Sequence, residues 1–484
     1  MYDCDAIIIG SGIGGLVSAG ILTSKGLKTL IIEKNKTPGG YLSSFKRNGF
    51  VFDSALDCIS GVAPGGIIFR VLELLKVERD IHFLRVDPIR VSIFPDLQIV
   101  VDADVAAYIE RLNLLFPSES ARVEKFFETV HRVYGVLQSS MNGLISGKLT
   151  CYNVSTELLK FTNISYKDML DEYLDNDKLK AILSDRCPFI GLPPSHVSAI
   201  SMVGLIMSYF KLGAHRPAGC FQNLADVLID GIRKNGGRTI FGNGAKKILL
   251  DSHAHCEGVR CDNGEEYTAR YIISNADFHH TFCSLLGGKY SSLAKDMMKS
   301  PGISNSFFIV YAGVKGDVSQ YSSIGYFPSY HVEKYFTPEM GFKEDSTLGI
   351  TIASVEDNSR APRGCHTVVM HEITAPSGKS LDKSECTEKV IRKAENIIPG
   401  IKDRITVLDS ATPETLQRYT GNVNGAAFGW RQIPGFRGTK KSGIKNLYIA
   451  GHWGDMGSGV LASAYSGAKA ASEILACEDL KIEI

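Results

Sequence analysis

The sequence predicts an α/β protein in which a Rossmann-like domain is interrupted by an inserted α+β domain. Two observations support this prediction. Residues 5–40 have the pattern strand, glycine-rich turn, helix, strand and acid, and residues 447–476 have the pattern strand, glycine-rich turn and helix. Between them, strand-like segments alternate with helical ones. Such alternation is typical of βαβ units and a parallel sheet.

The first unit contains a candidate phosphate-binding turn. Residues 6–9 form an unbroken apolar run, which predicts a buried parallel strand, and residues 10–15 follow as Gly-Ser-Gly-Ile-Gly-Gly. Gly10 permits the tight turn, Gly12 lets the backbone approach a pyrophosphate, and Gly15 allows close packing of helix on strand. The helix that follows offers free N–H groups and the positive end of its dipole. The pattern predicts a dinucleotide site.

The second strand, residues 27–32, ends at Glu33. An acid about 20 residues after the glycines is placed to accept hydrogen bonds from ribose hydroxyls. The Gly39-Gly40 pair then lets the backbone pass close to the same ligand. Residues 45–53 predict a hairpin around an Asn-Gly turn, and residues 67–75 predict a helix.

From about residue 102 to 211 the pattern becomes mainly helical, which indicates an inserted lobe. The predicted helices cover residues 105–115, 118–138, 156–161 and 166–183. The stretch 197–210 is apolar on most sides but too short to span a bilayer. We expect a core helix here. The wall of an apolar substrate tunnel and a membrane-dipping helix remain alternatives.

The pattern of the first domain returns after the insertion and again at the C-terminus. The predicted elements are a helix at 224–235, strands at 239–241, 245–250, 258–260 and 271–277, further strands at 307–314, 348–353 and 366–373, a helix at 387–397, and the closing strand and helix at 447–451 and 460–476. We therefore predict a discontinuous dinucleotide-binding domain of residues 1–101, 215–300 and 435–484. The predicted substrate domain comprises residues 102–214 and 301–434.

Composition excludes several classes of function. The chain has 484 residues and a net charge of +1, so no overall field attracts nucleic acid. Its 11 cysteines contain no CxxC pair, which favours free thiols over disulfides and predicts no metal site. The chain enters its first strand directly and has no long apolar run, so we expect no signal peptide, no spanning helix and a cytoplasmic location.

In order along the chain, these motifs resemble those of the phytoene desaturase-like family of flavoproteins. The family includes carotenoid desaturases, carotenoid isomerases and retinol saturases, and it lies within the wider flavin amine oxidase-like group. The matching segments are residues 10–15, 33–34, 38–40, 49–53, 258–259, 272–277, 450–451, 459 and 466–467. The resemblance covers the whole chain and is most specific in the dinucleotide-binding segments. It implies an FAD-binding Rossmann-like domain of the flavin amine oxidase type, with an inserted α+β substrate domain.

The resemblance also implies which residues hold FAD. The adenine would lie near Ala245, and the flavin ring near residues 40–42 and 455–461, where a helix N-terminus would favour the reduced ring. Tyr41 stands where many relatives carry Arg. The implied cofactor-binding residues are Gly10, Ser11, Gly12, Ile13, Gly14, Gly15, Glu33, Lys34, Gly39, Gly40, Tyr41, Leu42, Ala245, Asn275, Gly451, Asp455, Gly459, Val460 and Leu461.

The function implied is an FAD-dependent oxidoreductase that desaturates, saturates or isomerises C–C bonds of a lipophilic polyene or isoprenoid-like substrate. His452, Asp455 and Tyr41 are the candidates for proton exchange, whereas Asp57 and His131 lie outside every recognised motif and are assigned no role.

Three alternatives remain open. They are an FAD-dependent oxidase or dehydrogenase of another unsaturated secondary metabolite or amine, a non-catalytic flavin-binding protein and, less favoured, an NAD-dependent dehydrogenase. A long, wholly apolar tunnel between residues 197–210 and the strands of residues 305–373 would favour a polyene, whereas a short cavity with paired charges would contradict it. A lipophilic substrate also leads us to expect peripheral membrane contact. The sequence leaves the oligomeric state open.

Overall fold

The structure is a computed structural model, and it describes residues 2–147, 156–299, 301–318, 320–336, 342–376, 381–436, 438 and 443–482. The strands are β1 Cys4–Ile9, β2 Thr29–Glu33, β3 Ser44–Arg47, β4 Phe50–Asp53, β5 Phe83–Arg85, β6 Arg90–Phe94, β7 Leu97–Val101, β8 His215–Pro217, β9 Arg238–Phe241, β10 Ala245–Leu250, β11 Cys256–Cys261, β12 Glu266–Ser274, β13 Ser306–Lys315, β14 Ser323–Tyr326, β15 Leu348–Thr351, β16 Cys365–Thr374, β17 Ile405–Ala411 and β18 Leu447–Ile449.

The α-helices lie between these strands along the chain. They are α1 Ile13–Ser24, α2 Ile67–Leu75, α3 Val105–Leu115, α4 Ser120–Ile145, α5 Thr156–Asn163, α6 Tyr166–Tyr173, α7 Asp177–Leu183, α8 Ala199–Leu212, α9 Gln222–Lys234, α10 Lys289–Met298, α11 Lys383–Ala394, α12 Ile401–Arg404, α13 Pro413–Thr420 and α14 Val460–Cys477. In the described part of the chain, no helix combines the length and apolar character needed to cross a membrane.

A seven-stranded sheet forms the dinucleotide-binding part of the fold. Its order is β10-β11-β12-β1-β2-β9, with β18 also paired to β12. The strands β18, β12, β1, β2 and β9 run parallel, whereas β10 and β11 form an antiparallel extension. The predicted Rossmann-like sheet is therefore present, and the N- and C-terminal units both contribute to it.

The helix α1 is buried along almost its whole length because other helices pack on it from several sides. Two small residues allow this packing. A Cβ on Gly20 would lie 2.9 Å from Val71 Cγ1 of α2, and a Cβ on Gly467 of α14 would overlap the carbonyl oxygen of Gly14. The α1–α14 crossing brings the two glycine turns together.

A second seven-stranded sheet has the order β17-β13-β16-β15-β14-β6-β7 and is antiparallel except at the β14–β6 pair. This pairing corrects the predicted domain limits in one place. Residues 90–101 were expected in the dinucleotide-binding domain, but β6 and β7 lie in the second sheet. Their pairing partner, Ser323–Tyr326, lies far away along the chain, so local sequence patterns could not reveal it. The other domain limits stay a prediction.

Most predicted elements are confirmed, several with their bounds within one or two residues. The predicted helix at 166–183 is in fact two helices, because Leu174 leaves the helical conformation and Asn176 caps a new start. The strands β5, β6, β7, β8, β14 and β17 were not predicted. They are short or belong to edges where one face is only partly buried.

Candidate cofactor and substrate site

The loop between β1 and α1 presents backbone rather than side chains to the space above it. Gly10 has φ +90°, a conformation that L side chains rarely adopt. A Cβ on Gly12 would lie 2.8 Å from Asn275 Nδ2, and a Cβ on Gly14 would lie 2.6 Å from the backbone nitrogen of Gly451. Because Gly12 has no side chain to cap α1, the first-turn N–H groups are left for an anionic ligand such as phosphate.

Glu33 ends β2 with its carboxylate turned toward this loop and only 6% exposed. Ser11 donates to Oε2 twice, from its backbone N at 2.8 Å and from Oγ at 2.7 Å. The backbone N of Asn35 donates to Oε1 at 2.9 Å. A carboxylate has about four acceptor positions, so these bonds fix Glu33 and leave capacity for a ribose hydroxyl.

Asn275 joins the two glycine turns. It follows β12, and its backbone N donates to the carbonyl oxygen of Ile9 at 2.9 Å. Its side chain fills the space between the turns, since a Cβ on Gly451 would lie 2.5 Å from Oδ1 and a Cβ on Gly14 would lie 2.7 Å from the same atom. A larger residue at either glycine would push the turns apart.

A cavity of about 400 Å³ runs along the carboxyl ends of the parallel strands. At one end lie Glu33, Lys34 and Ala245, and at the other lie His452 and Val460. The predicted cofactor residues that line it are Gly10, Gly12, Ile13, Gly14, Glu33, Lys34, Gly39, Gly40, Tyr41, Leu42, Ala245, Asn275, Gly451, Gly459 and Val460. The structure thus brings together residues predicted from both ends of the chain.

Two other predicted cofactor residues support the cavity from behind it. Ser11 is fully buried, and its hydroxyl bonds to Glu33 rather than facing the cavity. Gly15 lies against the strand, where a Cβ would overlap the carbonyl oxygen of Gly10. Both residues therefore act by positioning the loop.

The structure does not bring Asp455 to the cavity. Its carboxylate forms an ion pair with Lys469 of α14, and the described lining of the two large cavities does not include it. A strand–turn–helix pattern does not say which way each turn residue points, and a role of Asp455 at the cofactor stays a prediction. Leu461, also predicted at the cofactor, lines the second cavity instead.

Tyr41 and His452 face each other at the far end of the first cavity, with ring centroids 6.1 Å apart. The Tyr41 hydroxyl donates to the carbonyl oxygen of Ala426 at 2.9 Å, and burial raises the pKa of Tyr41 to about 12. Burial lowers the pKa of His452 to about 4, and its Nε2 lies 3.2 Å from Asn422 Oδ1. Both rings are therefore neutral near pH 7 and offer hydrogen-bonding groups without charge.

A second cavity of about 290 Å³ continues from this end. It lies between helices α4 and α8 on one side and the second sheet on the other. The residues common to both cavities are Ala55, Leu56, Phe307, Ile309, Phe428, Gly459 and Val460. The two spaces therefore meet at a mainly apolar junction.

The apolar stretch 197–210 forms one wall of the second cavity. Ile200, Gly204 and Leu205 line it, whereas Met202 and Met207 are buried in the core. Lys211 is the only exposed residue of α8. The structure shows the expected core helix, and one side of it borders the second cavity; its exposure gives no support to the membrane-dipping alternative, and the substrate tunnel stays a prediction.

The lining is mostly apolar but includes a polar corner that sequence reasoning missed. Asp57, which was assigned no role, lies there and accepts hydrogen bonds of 2.5 Å from Arg216 Nη2 and Ser323 Oγ. Burial raises the pKa of this carboxyl, but Arg216 and the hydrogen bonds outweigh it and hold the pKa below its usual value. Asp57 therefore stays ionised and paired.

His371 of β16 is the second polar residue of this corner. The alternation of the predicted strand 366–373 places it on the same face as Val369. That signal existed in the sequence, but nothing local indicated which face borders a cavity.

The first cavity fits FAD by its own chemistry. The turns at Gly12 and Gly14 leave no room for side chains, free N–H groups face the space, and Glu33 retains acceptor capacity. The sequence profile of the flavin-containing amine oxidoreductase family matches residues 13–475, so the chain belongs to this family. Its cofactor is FAD.

Three similar proteins narrow the class further. Prolycopene isomerase 1, chloroplastic, from an Oncidium hybrid cultivar is 27% identical and covers 99% of this chain and 84% of its own length. The neurosporene-forming phytoene desaturase of Rhodobacter capsulatus is 26% identical, with 96% and 92% covered. The all-trans-retinol 13,14-reductase of Macaca fascicularis is 26% identical, with 92% and 82% covered. The resemblance to the phytoene desaturase-like family is confirmed.

Structural similarity supports the same fold. An oxidoreductase from Methanosarcina mazei has a TM-score of 0.68 and 17% identity, and the match covers 98% of this chain and 100% of the other. By its family and these relatives, the protein is an FAD-dependent oxidoreductase of the type that acts on C–C bonds of polyenes.

Proposed function

We propose that this chain binds FAD with the adenosine end at Glu33 and the ring end at His452 and Val460. It then desaturates, saturates or isomerises a lipophilic polyene held in the second cavity. One observation supports this most directly: the two cavities share Phe307, Phe428 and Val460, so a polyene in the second cavity lies against the ring end of the first. Contact between substrate and cofactor is the first requirement of flavin chemistry.

The chain's own residues position the substrate and exclude water from the cavity. Phe307, Ile309 and Phe428 cover the junction, and Leu205 closes the side opposite the sheet. Burial there stabilises a bound hydrocarbon chain by about 25 cal/mol for each Å² of apolar surface removed from water. Apolar burial therefore favours binding of a polyene without charged contacts at the reacting bonds.

The N-terminus of α14 lies at the junction. Gly459 precedes the helix with φ +89° and, having no side chain, does not cap it. Bound FAD supplies the two-electron redox chemistry, and the positive end of α14 would favour its more negative reduced state. Tyr41 and His452 hold neutral hydrogen-bonding groups beside the same space. We propose orienting roles for both.

An anaerobic titration tests the proposal. If the enzyme desaturates, we expect the oxidised protein to lose its flavin absorbance with a polyene that has C–C single bonds left to desaturate. If it saturates, we expect the reduced protein to regain that absorbance with a fully conjugated polyene. Isomerisation would leave the flavin spectrum unchanged at the end and shift the polyene spectrum instead. Failure of every polyene to change either spectrum, with FAD bound, would contradict the proposed function.

We also propose peripheral membrane contact, although not through residues 197–210. At the end of α3, Leu114 is 77% exposed and Leu115 is 41% exposed, and a lipophilic substrate is drawn from lipid. Flotation with liposomes tests this. We expect Leu114→Ser with Leu115→Ser to reduce the floated fraction, whereas the control Leu408→Ser, at a site 49% exposed on β17, should not. The cytoplasmic location stays a prediction.

A further inference from the structure

The face of the second sheet that borders the substrate cavity changes from apolar to polar across its strands. One register row consists of Ile309 on β13, His371 on β16, Gly349 on β15, Gly325 on β14 and Ser92 on β6. Residues paired in register share one face of a sheet. The row therefore runs from the apolar junction with the first cavity into the polar corner.

The two glycines of this row leave room for two long polar side chains. A Cβ on Gly349 would overlap the His371 ring at Nε2, and a Cβ on Gly325 would overlap the guanidinium of Arg90 at Nη2. His371 therefore lies over Gly349, and Arg90 lies over Gly325. Because the two glycines are direct partners between β14 and β15, the imidazole and the guanidinium lie over neighbouring strands.

His371 has hydrogen-bonding capacity that no described residue uses. Its ring packs against Phe189 and Phe307, with centroids 6.3 and 5.7 Å away, but neither ring nitrogen has a hydrogen bond within the described residues. Arg90 behind it is 2% exposed, and its Nε and Nη1 also lack hydrogen bonds there. The guanidinium lies 4.8 Å from the Phe189 ring centroid and 3.8 Å from Asp185.

Three polar side chains of the cavity near this corner are already bonded within the protein. Asp57 accepts from Arg216 and Ser323. The hydroxyl of Tyr209 donates to the carbonyl oxygen of Cys58 at 3.2 Å, and the Gln432 side chain donates to the carbonyl oxygen of Trp430 at 2.9 Å. A polar group that lines an apolar cavity without a protein partner favours a ligand atom that supplies one, and His371 meets this condition beside Phe307 at the junction.

We propose that His371 hydrogen-bonds an oxygen atom of the substrate, and that the substrate is an oxygenated polyene rather than a hydrocarbon. This inference rests on the proposed function. The oxygen, as an alcohol, aldehyde or carboxylate, lies at His371, and the chain runs past Phe307 toward Val460. Burial lowers the pKa of His371 to about 4, so its neutral ring keeps one donor and one acceptor near pH 7. Two charged groups act on this ring: Arg90 adds positive charge, which favours an electron-rich oxygen, whereas the negative charge of Asp57 is paired with Arg216.

Binding of three polyenes of equal chain length tests the proposal: a hydrocarbon, its terminal alcohol and its terminal carboxylic acid. Affinity is measured with the FAD-loaded protein from the shift in polyene absorbance. We expect the wild type to bind at least one oxygenated polyene about tenfold more tightly than the hydrocarbon. The variant His371→Phe should lose that preference, and His371→Gln should retain part of it because an amide still donates and accepts.

Val369→Ala provides a matched control, because Val369 lines the same cavity from the same strand and carries no polar group. It should weaken all three ligands by a similar factor. Equal binding of the three polyenes by the wild type, or an equal loss for all three in His371→Phe, would overturn the proposal. If hydrocarbon polyenes react while no preference is found, only this proposal fails. If no polyene binds or reacts, the proposed function fails with it.

Discussion

The substitution Gly14→Ala tests whether the two glycine turns form one site. The new Cβ would lie 2.6 Å from the backbone nitrogen of Gly451, 2.7 Å from Asn275 Oδ1 and 2.8 Å from Gly451 Cα. Ordinary Cβ contacts begin at 3.4 Å, so the C-terminal turn must retreat by 3.4 − 2.6 = 0.8 Å. Two of the three neighbours are backbone atoms, which cannot rotate away.

Overpacking of this kind costs about 1–3 kcal/mol. We expect Gly14→Ala to lower the free energy of unfolding by that amount. We also expect it to weaken FAD by about tenfold or more, because the displaced turn lines the cofactor cavity. FAD affinity is measured by fluorescence titration of the FAD-free protein, and stability by urea unfolding.

The control is Gly135→Ala in α4, where an added Cβ would have no heavy atom within 4 Å. Alanine favours a helix over glycine by about 1 kcal/mol, so this variant should be as stable as the wild type or more so. If Gly14→Ala bound FAD with wild-type affinity and unfolded at the wild-type urea concentration, the two turns would not be in contact as described.

Three further predictions concern single side chains and pH. Ser11→Ala removes the 2.7 Å bond to Glu33 and should weaken FAD about fivefold in the same titration, whereas an unchanged affinity would show that Ser11 does not position the carboxylate. Asp455→Asn should leave FAD affinity within about twofold of wild type, because the carboxylate pairs with Lys469 outside the cavity. A tenfold loss of FAD affinity would show that Asp455 contributes to the cofactor site. Burial lowers the pKa of His371 and His452 to about 4, below the ordinary 6.5, so the unfolded chain binds more protons and stability falls as pH drops from 6.5 to 4. Urea unfolding across that range should show a slope of up to about 1.4 kcal/mol per pH unit from each histidine, reduced in His371→Phe, and a slope unaffected by that substitution would contradict the assignment.

The cofactor site could be predicted from sequence because its signals are local. A strand, a glycine turn and a helix N-terminus lie within residues 6–25, and the chemistry of phosphate binding requires that order. Asn275 was also found, because it ends a buried strand of the same sheet. The orientation of single turn residues was not predictable, as Asp455 shows, since a turn pattern fixes the path of the backbone and not the direction of each side chain.

The substrate cavity could be located only in outline. The apolar character of residues 197–210 indicated a wall, but its polar corner is assembled across long distances in sequence. Asp57 meets Arg216, and His371 lies beside Arg90 only because β6 pairs in parallel with β14. Local periodicity identifies faces of strands and helices but not which distant faces meet.

The absorbance spectrum of the purified protein, with its FAD content per chain, tests the central claim most directly. We predict a flavin spectrum and one tightly held FAD per chain, released on unfolding and taken up again by the refolded chain. A colourless protein that takes up no added FAD would contradict the account.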